Sequence, residues 1–277
     1  MTRGLDRFSM NTATLGFQTP IAQTVDMIAR AGFAGLAPWR RELEGTDARQ
    51  VGRLIRDCGL SVSGYCRSTY FPASSQRDWQ ANVDDNKRAL NEAAELQAAC
   101  FVLVVGGLPN GSRNLPDARQ QVKDGICALL ETATELNVPL ALEPLHPMYA
   151  ADRACVNTVE QSLDICRKLA PENPLLGVAV DAYHTWWDPK LPEMMALAQA
   201  EDRLLACHIN DWLVPTRDML MDRGMPGDGI IDLSAFCALA EAKQYSGFFE
   251  LEILSNELWK LDAHDIITQS ARTCQAI

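Results

Sequence analysis

The sequence predicts an α/β protein, a single (β/α)8 or TIM barrel over residues 1–277, and three observations carry that prediction. Apolar runs suited to buried strands alternate with amphipathic stretches from one end of the chain to the other. Eight runs of each kind can be counted, with connections too short for a second domain. The 277 residues suffice for one large α/β unit with a sizeable core. Strict alternation implies parallel strands joined by right-handed crossovers. Eight such units in about 250 residues is the number that closes a barrel. An open doubly wound sheet would carry a glycine-rich phosphate loop after its first strand, and Thr14-Leu15-Gly16-Phe17 is not one.

Strands are expected at 9–15, 33–37, 61–66, 100–105, 138–143, 176–181, 204–209 and 248–253. The first helical pattern, 19–30, has Thr19 placed to cap it and Pro20 at its first position. The second, 47–58, is closed by Gly59, which suits a left-handed cap. Patterns at 79–99 and 116–136 follow, then 157–170, where Asn157 as cap and Glu160 three residues later resemble a capping box. The last three are 191–200, 233–243 and 264–276. One connection is long, 210–231, and carries Arg217, Arg223 and the run Gly227-Asp228-Gly229. Long ordered loops at a barrel mouth tend to be functional.

Composition narrows the function classes. A net charge of −11 opposes nucleic-acid binding, which usually needs a basic stripe. No apolar run approaches the roughly 18 residues that span a bilayer, so no membrane partner is expected. The first residues, MTRGLDRFSMNTATLG, lack the apolar core of a secretory signal. Nine scattered cysteines without a Cys-x-x-Cys pair read as reduced core residues of a cytoplasmic protein.

The chemistry gathers at the ends of the late strands. VPLALEPLH ends its apolar run in Glu143, followed by Pro144 and His146; LLGVAVDAYH ends in Asp181 with His184 beyond it; LLACHIND presents His208; FFELEI carries Glu252. In a parallel barrel these side chains converge on one mouth. Three carboxylates together repel and raise one another's pKa. A divalent cation resolves that conflict, and three carboxylates with one imidazole suit Mn2+, Mg2+ or Co2+. Glu143, Asp181, His208 and Glu252 are therefore the expected metal ligands. Glu250 shares the face of Glu252 by the two-residue period, so one of the pair reads as a lower or salt-bridged barrel residue. His264, in the last helical pattern, reads as surface.

The segments ALEPLH, VAVDAYH, ACHINDW, GDGIID and ELEI resemble the motifs of the sugar phosphate isomerase/epimerase group, the xylose isomerase-like barrels. That group includes ketose 3-epimerases, inosose isomerase and inosose dehydratase. The likeness covers nearly the whole chain in its order of units and is strongest in the second half. It implies one bound divalent metal ion, Mn2+ first, and a sugar or polyol substrate. It also implies that Glu143 and Glu252 act as acid and base while touching the metal. His184 matches the group's substrate-contacting histidine, and Arg217 an arginine before the Gly-x-Gly segment. His146, Trp39 and Trp186 are further candidates for the substrate pocket, with Trp187 and Trp212 beside them. The last strand has Leu-Glu-Ile where epimerases often carry Met-Glu-Pro, and HPMYAADR (146–153) differs from ketose epimerases.

The expected activity is isomerisation or epimerisation of a ketose, inosose or related keto-sugar, through an enediolate formed beside a polarised carbonyl. A lyase shares the enolate and expels a β-substituent, with His146 as candidate acid. A phosphodiesterase like endonuclease IV would need more than four histidines and a basic face. A catalytically dead barrel would serve as a binding subunit, against which the complete ligand set argues. Gly227-Asp228-Gly229 carries an acid that opposes phosphate, which favours a non-phosphorylated substrate. Homo-oligomers are common among such barrels, and no exposed stripe in the sequence specifies one.

Overall fold

The structure is a computed structural model that describes residues 4–242 and 245–277. Eight parallel strands form one curled sheet: β1 (Phe8–Asn11), β2 (Gly35–Ala37), β3 (Ser61–Val62), β4 (Phe101–Leu103), β5 (Leu140–Leu142), β6 (Leu176–Asp181), β7 (Leu204–Ile209) and β10 (Phe249–Leu251). Their order is β3-β2-β1-β10-β7-β6-β5-β4. The remaining seam, between β3 and β4, is closed by the bridge of Tyr65 to Phe101. There the Tyr65 amide donates to the Cys100 carbonyl and the Val102 amide to the Tyr65 carbonyl, both at 3.0 Å. The sheet therefore has no open edge, as a barrel requires.

The helices α1 (Ile21–Arg30), α2 (Ala48–Asp57), α3 (Gln76–Leu96), α4 (Leu115–Leu136), α5 (Val159–Leu169), α7 (Leu191–Ala200), α8 (Leu233–Glu241) and α9 (Ala263–Gln275) follow the expected periodic stretches. A short helix, α6 (Ala182–Thr185), continues from β6 at the mouth. The main core lies between sheet and helices. Inside the barrel a smaller cluster, Cys66, Cys100, Val102, Ala141, Ala179 and Ala206, packs with mostly small side chains. Those small residues leave room for polar groups one layer higher.

Several boundaries differ from the sequence reading. The strands β1, β3, β4, β5 and β10 stop short of their apolar runs, because the backbone turns away where the mouth begins. After β1, for example, Asn11 accepts from the Ala13 amide and starts a 3-10 turn, Thr12–Leu15. Thr19 does not cap α1; its hydroxyl pairs with that of Thr24, and Pro20 occupies the cap position. Helix α5 is capped by Thr158, one residue later than expected: its hydroxyl accepts from the Gln161 amide, and the Gln161 side chain accepts from the Asn157 amide. Gly59 closes α2 at φ +80, as its position suggested. The expected helix end at Lys243 lies outside the described residues. No described helix is long and apolar enough to cross a membrane.

The long connection 210–231 is ordered by one carboxylate. Asp211 accepts from the amides of Trp212, Gly227, Gly229 and Ile231, at 2.8 to 3.0 Å. Strand β8 (Asp211–Trp212) pairs antiparallel with β9 (Arg223–Gly224), folding the segment into a hairpin over the mouth. Gly229 is required there, since an added Cβ would lie 2.3 Å from the Trp212 carbonyl oxygen. Amide bonds to a charged acceptor are worth roughly 1.5–3 kcal/mol each when intact. We predict that Asp211→Ala frees the hairpin, so that trypsin cuts at Arg217 or Arg223 at least about tenfold faster than in the parent. Equal cleavage rates, followed by mass spectrometry of the fragments, would contradict this account.

Candidate metal centre

Register assembles the site. His208 on β7 lies directly beside Asp181 of β6 and beside Glu250 of β10. Adjacent residues on paired parallel strands point the same way, so these three side chains share one layer inside the barrel. Glu252 lies two residues beyond Glu250 and enters one pleat higher, its amide bound to the Ile209 carbonyl at 3.1 Å. Glu143 follows β5, its amide bound to the Leu103 carbonyl at 3.1 Å. Pro144 then ends the strand pairing.

The ligand atoms of Glu143, Asp181, His208 and Glu252 all lie within 4.8 Å of one another, and all four residues are buried. These are the four residues the strand ends suggested. His208 Nδ1 is 2.9 Å from Glu143 Oε1. Asp181 Oδ1 accepts from Asn210 Nδ2 at 3.0 Å and from the Tyr183 amide at 2.7 Å, which fixes its carboxylate. Glu250 accepts from Asn11 Nδ2 and Ser63 Oγ, each at 2.8 Å; Asn11 also reaches Glu252, one pleat higher, at 3.2 Å. Glu250 is thus the lower member of the Glu250/Glu252 pair.

The electrostatics follow from burial. Burial pushes the Glu143 carboxyl up to about 7, with the bond from His208 opposing it. Burial likewise raises Asp181 against Arg223, and Glu250 against His208. For His208, burial disfavours the charge, but Glu250, Glu143 and Glu252 outweigh it and hold its proton well above the usual range. His184 is driven the other way, first by burial and then by Arg223.

The remaining candidates are placed unevenly. His184 is buried, its Nε2 3.9 Å from Asp181 Oδ2 and 3.3 Å from Arg223 Nη2. His146 is half-buried among Trp187 and Trp212, with ring centroids at 5.6 and 5.2 Å. Trp186 packs on Trp212 at 5.6 Å. Trp39 stands on another side of the mouth, in a cleft of about 870 Å3 that Arg67 and Tyr70 also line. Cys66, adjacent to Arg67, is raised by burial and by the charges of Glu252 and Glu143. His264 is exposed, as expected.

Arg217 does not reach the cluster. Its side chain is 57% exposed and pairs with Asp222. The arginine that enters is Arg223, whose Nη1 lies 3.1 Å from Asp181 Oδ2 and 3.0 Å from Glu252 Oε2. The signal for it was present, since Arg223 stands closer to Gly227-Asp228-Gly229 than Arg217 does. The pairing of Arg223 with Trp212 that turns it inward was not readable from the residue pattern.

The donor set fits a divalent cation: hard oxygens, one imidazole, and more buried negative charge than Arg223 and His208 neutralise. Buried polar atoms without a partner also collect here, among them His184 Nδ1, His208 Nε2, Asn210 Oδ1 and Arg223 Nε. Such atoms are rare in protein interiors and mark places where a polar ligand completes the bonding.

A family model described as "Xylose isomerase-like TIM barrel" matches residues 25–276. Among solved structures, the protein SMc04130 of Sinorhizobium meliloti 1021 superposes with a TM-score of 0.93 at 47% identity, covering 97% of each chain. The 3-dehydroshikimate dehydratase of Pseudomonas aeruginosa is 27% identical over 255 residues, which is 88% of this chain and 38% of that protein. The chain thus spans about two fifths of the length of the dehydratase relatives it matches. The inosose isomerase of Bacillus velezensis is 24% identical over 166 residues, covering 57% of this chain and 56% of the relative.

Two outcomes follow from the geometry. Replacing Arg223 by Met leaves Asp181 and Glu252 without their cation, a change that costs about 3–5 kcal/mol in buried pairs. Thermal melts in EDTA should therefore show Arg223→Met well below the parent, and Mn2+ should raise the variant's midpoint by more than the parent's. Second, ligation needs Glu143 ionised and His208 Nδ1 free of its proton. With the Glu143 carboxyl at about 7 and His208 holding its proton above the usual range, Mn2+ affinity should weaken as pH falls through 7. Calorimetry in buffers of different ionisation enthalpy should record protons released on binding; affinity independent of pH between 6 and 8 would contradict the assignment.

Proposed function

The chain belongs to the xylose isomerase-like TIM barrel family, and from that premise we propose a divalent-metal-dependent isomerase or epimerase acting on a ketose, an inosose or a related keto-sugar. The observation that carries the reading is the buried set Glu143, Asp181, His208 and Glu252, with all ligand atoms within 4.8 Å of one another. A Mn2+ ion held there, with Mg2+ or Co2+ as substitutes, would polarise the substrate carbonyl and acidify the neighbouring C–H.

The chain's own groups supply the rest. Glu143 and Glu252 are separated in the sheet by β6 and β7, so they approach a bound carbon from two sides. One carboxylate takes the proton and the other returns it, which is general acid–base work worth about 10²–10⁴-fold per group. A Glu143 carboxyl near 7 suits a base that must exchange its proton at neutral pH. Neutral His184 and the fixed guanidinium of Arg223 hydrogen-bond substrate oxygens. Trp186, Trp212 and Trp39 wall the pocket and exclude water.

A second reading, a dehydratase, has its own support. The dehydratase relatives align over 88% of this chain, against 57% for the inosose isomerase. Arg67, which lines the adjoining cleft, pairs with no carboxylate among the described residues and rests on the Tyr70 ring at 4.6 Å. A carboxylated keto substrate such as 3-dehydroshikimate would meet that cation.

Elemental analysis should find about one equivalent of Mn, Mg or Co in the parent protein and a loss in Glu143→Gln combined with His208→Ala. On candidate substrates in D2O, Glu143→Gln alone should slow exchange at the carbon beside the carbonyl by about 10²-fold or more. Deuterium uptake without loss of water supports the isomerase; release of water with formation of a more extensively conjugated product supports the dehydratase. No metal after reconstitution would overturn both.

A further inference from the structure

We infer that residues 213–219, the outer turn of the β8–β9 hairpin, form a strap that closes over His184, with Tyr149 and Tyr183 as its latch. The hydroxyls of both tyrosines donate to one acceptor, the Met219 carbonyl. Their rings stand edge-on to the His184 imidazole, with centroids at 5.8 and 5.5 Å and interplanar angles of 84° and 83°. His184 is thus packed against two tyrosines whose hydroxyls meet at the strap, and it is 2% exposed. Its Nδ1 is buried without a hydrogen-bond partner. Such an atom is completed by a polar ligand, and a ligand from solvent reaches it when the cover lifts.

The two ends of the hairpin are held differently from its turn. At one end Asp211 binds four amides. At the other, Asp222 bridges antiparallel to Ser255, the Arg223 amide donates to the Leu254 carbonyl at 3.1 Å, and the Asn256 amide to the Met221 carbonyl at 3.0 Å. Leu220 packs against the main core and marks where the anchored part begins. Between these ends the bonds are internal to the connection: Thr216 to the Leu213 carbonyl, Arg217 to Asp222, and Asp218 to the Leu220 and Met221 amides. Val214 and Met219 are exposed. Among the described residues, the two phenol bonds to Met219 are the hydrogen bonds that tie 213–219 to the barrel. A segment internally braced, anchored at both ends and latched at one point can lift as a unit, which is how loops over active sites open. The strap follows from this geometry; its use as a gate rests on the reading of the mouth as a substrate site.

The test uses metal-free protein and diethyl pyrocarbonate, which acylates accessible imidazole nitrogens; mass spectrometry of the peptides reads each of the four histidines separately. In the parent, exposed His264 should react freely and His184 slowly. Tyr149→Phe combined with Tyr183→Phe keeps both rings and removes both hydroxyls. His184 should then react about tenfold faster or more, with each single variant between the parent and the pair. Trypsin cleavage at Arg217 should rise in the same order while Arg223 stays protected. His208, buried at the centre of the barrel, should stay slow in every variant, which separates opening of the strap from unfolding. An unchanged His184 rate overturns the inference, and so does a His184 rate that rises only together with that of His208. Faster labelling of His184 alone, in a protein that takes up no Mn2+ on reconstitution, upholds the strap and overturns the metal reading.

Discussion

Four carboxylates share one barrel mouth away from water, and the arrangement around them follows from that charge. Glu143, Asp181, Glu250 and Glu252 are each at most 4% exposed. Ions taken from water cost several kcal/mol apiece unless they are paired and hydrogen-bonded. Two basic groups divide the task. Arg223 bridges Asp181 and Glu252, and His208 stands between Glu143 and Glu250. Neutral donors take the remaining lone pairs: Asn210 and the Tyr183 amide on Asp181, Asn11 and Ser63 on the two glutamates. Two basic groups against four carboxyls leave acid in excess at the mouth, which is the condition a divalent ion answers.

The means of placing these groups are distributed over the chain. Strand register brings Asp181, His208 and Glu250 into one layer, so β7 and its two neighbours supply the floor. The small residues Ala141, Ala179 and Ala206 beneath it keep the interior from filling with bulk. Arg223 is delivered by a separate device, the β8–β9 hairpin, whose conformation depends on the four amide bonds to Asp211. Loop order and site charge are thereby coupled, since a hairpin that opens withdraws the cation from Asp181 and Glu252.

Much of this was legible because period and strand-end chemistry are local signals. Glu143, Asp181, His208 and Glu252 each close an apolar run, and parallel alternation alone brings such ends together. The helices were readable for the same reason; α7 has the bounds its pattern suggested. What the pattern did not carry was tertiary. Arg217 and Arg223 are equivalent as letters in a long loop, and only the antiparallel pairing of Trp212 with Arg223 distinguishes inside from outside. Thr158 rather than Asn157 caps α5, because Asn157 is drawn off to the Leu145 and Ala154 carbonyls. Strands β6 and β7 have the bounds expected of them, whereas β1, β3, β4, β5 and β10 were read too long because the chain continues past the last ladder bond into the walls of the mouth.

Isomerase and dehydratase share the base and the polarised carbonyl, so what separates them must be an acid placed for a leaving group, and the rim residues bear on that. Tyr149 and Tyr183 both donate their hydroxyls to the Met219 carbonyl, which ties the 210–231 segment down and occupies their protons. His146 is the remaining candidate. Burial lowers its pKa, and its Nδ1 accepts from the Met148 amide at 3.3 Å. The ring is therefore neutral at pH 7 with its proton on Nε2, a good hydrogen-bond donor to a hydroxyl but a weak acid for expelling one. A group that orients hydroxyls without protonating them suits the isomerase reading proposed above, in which the substrate keeps its oxygens.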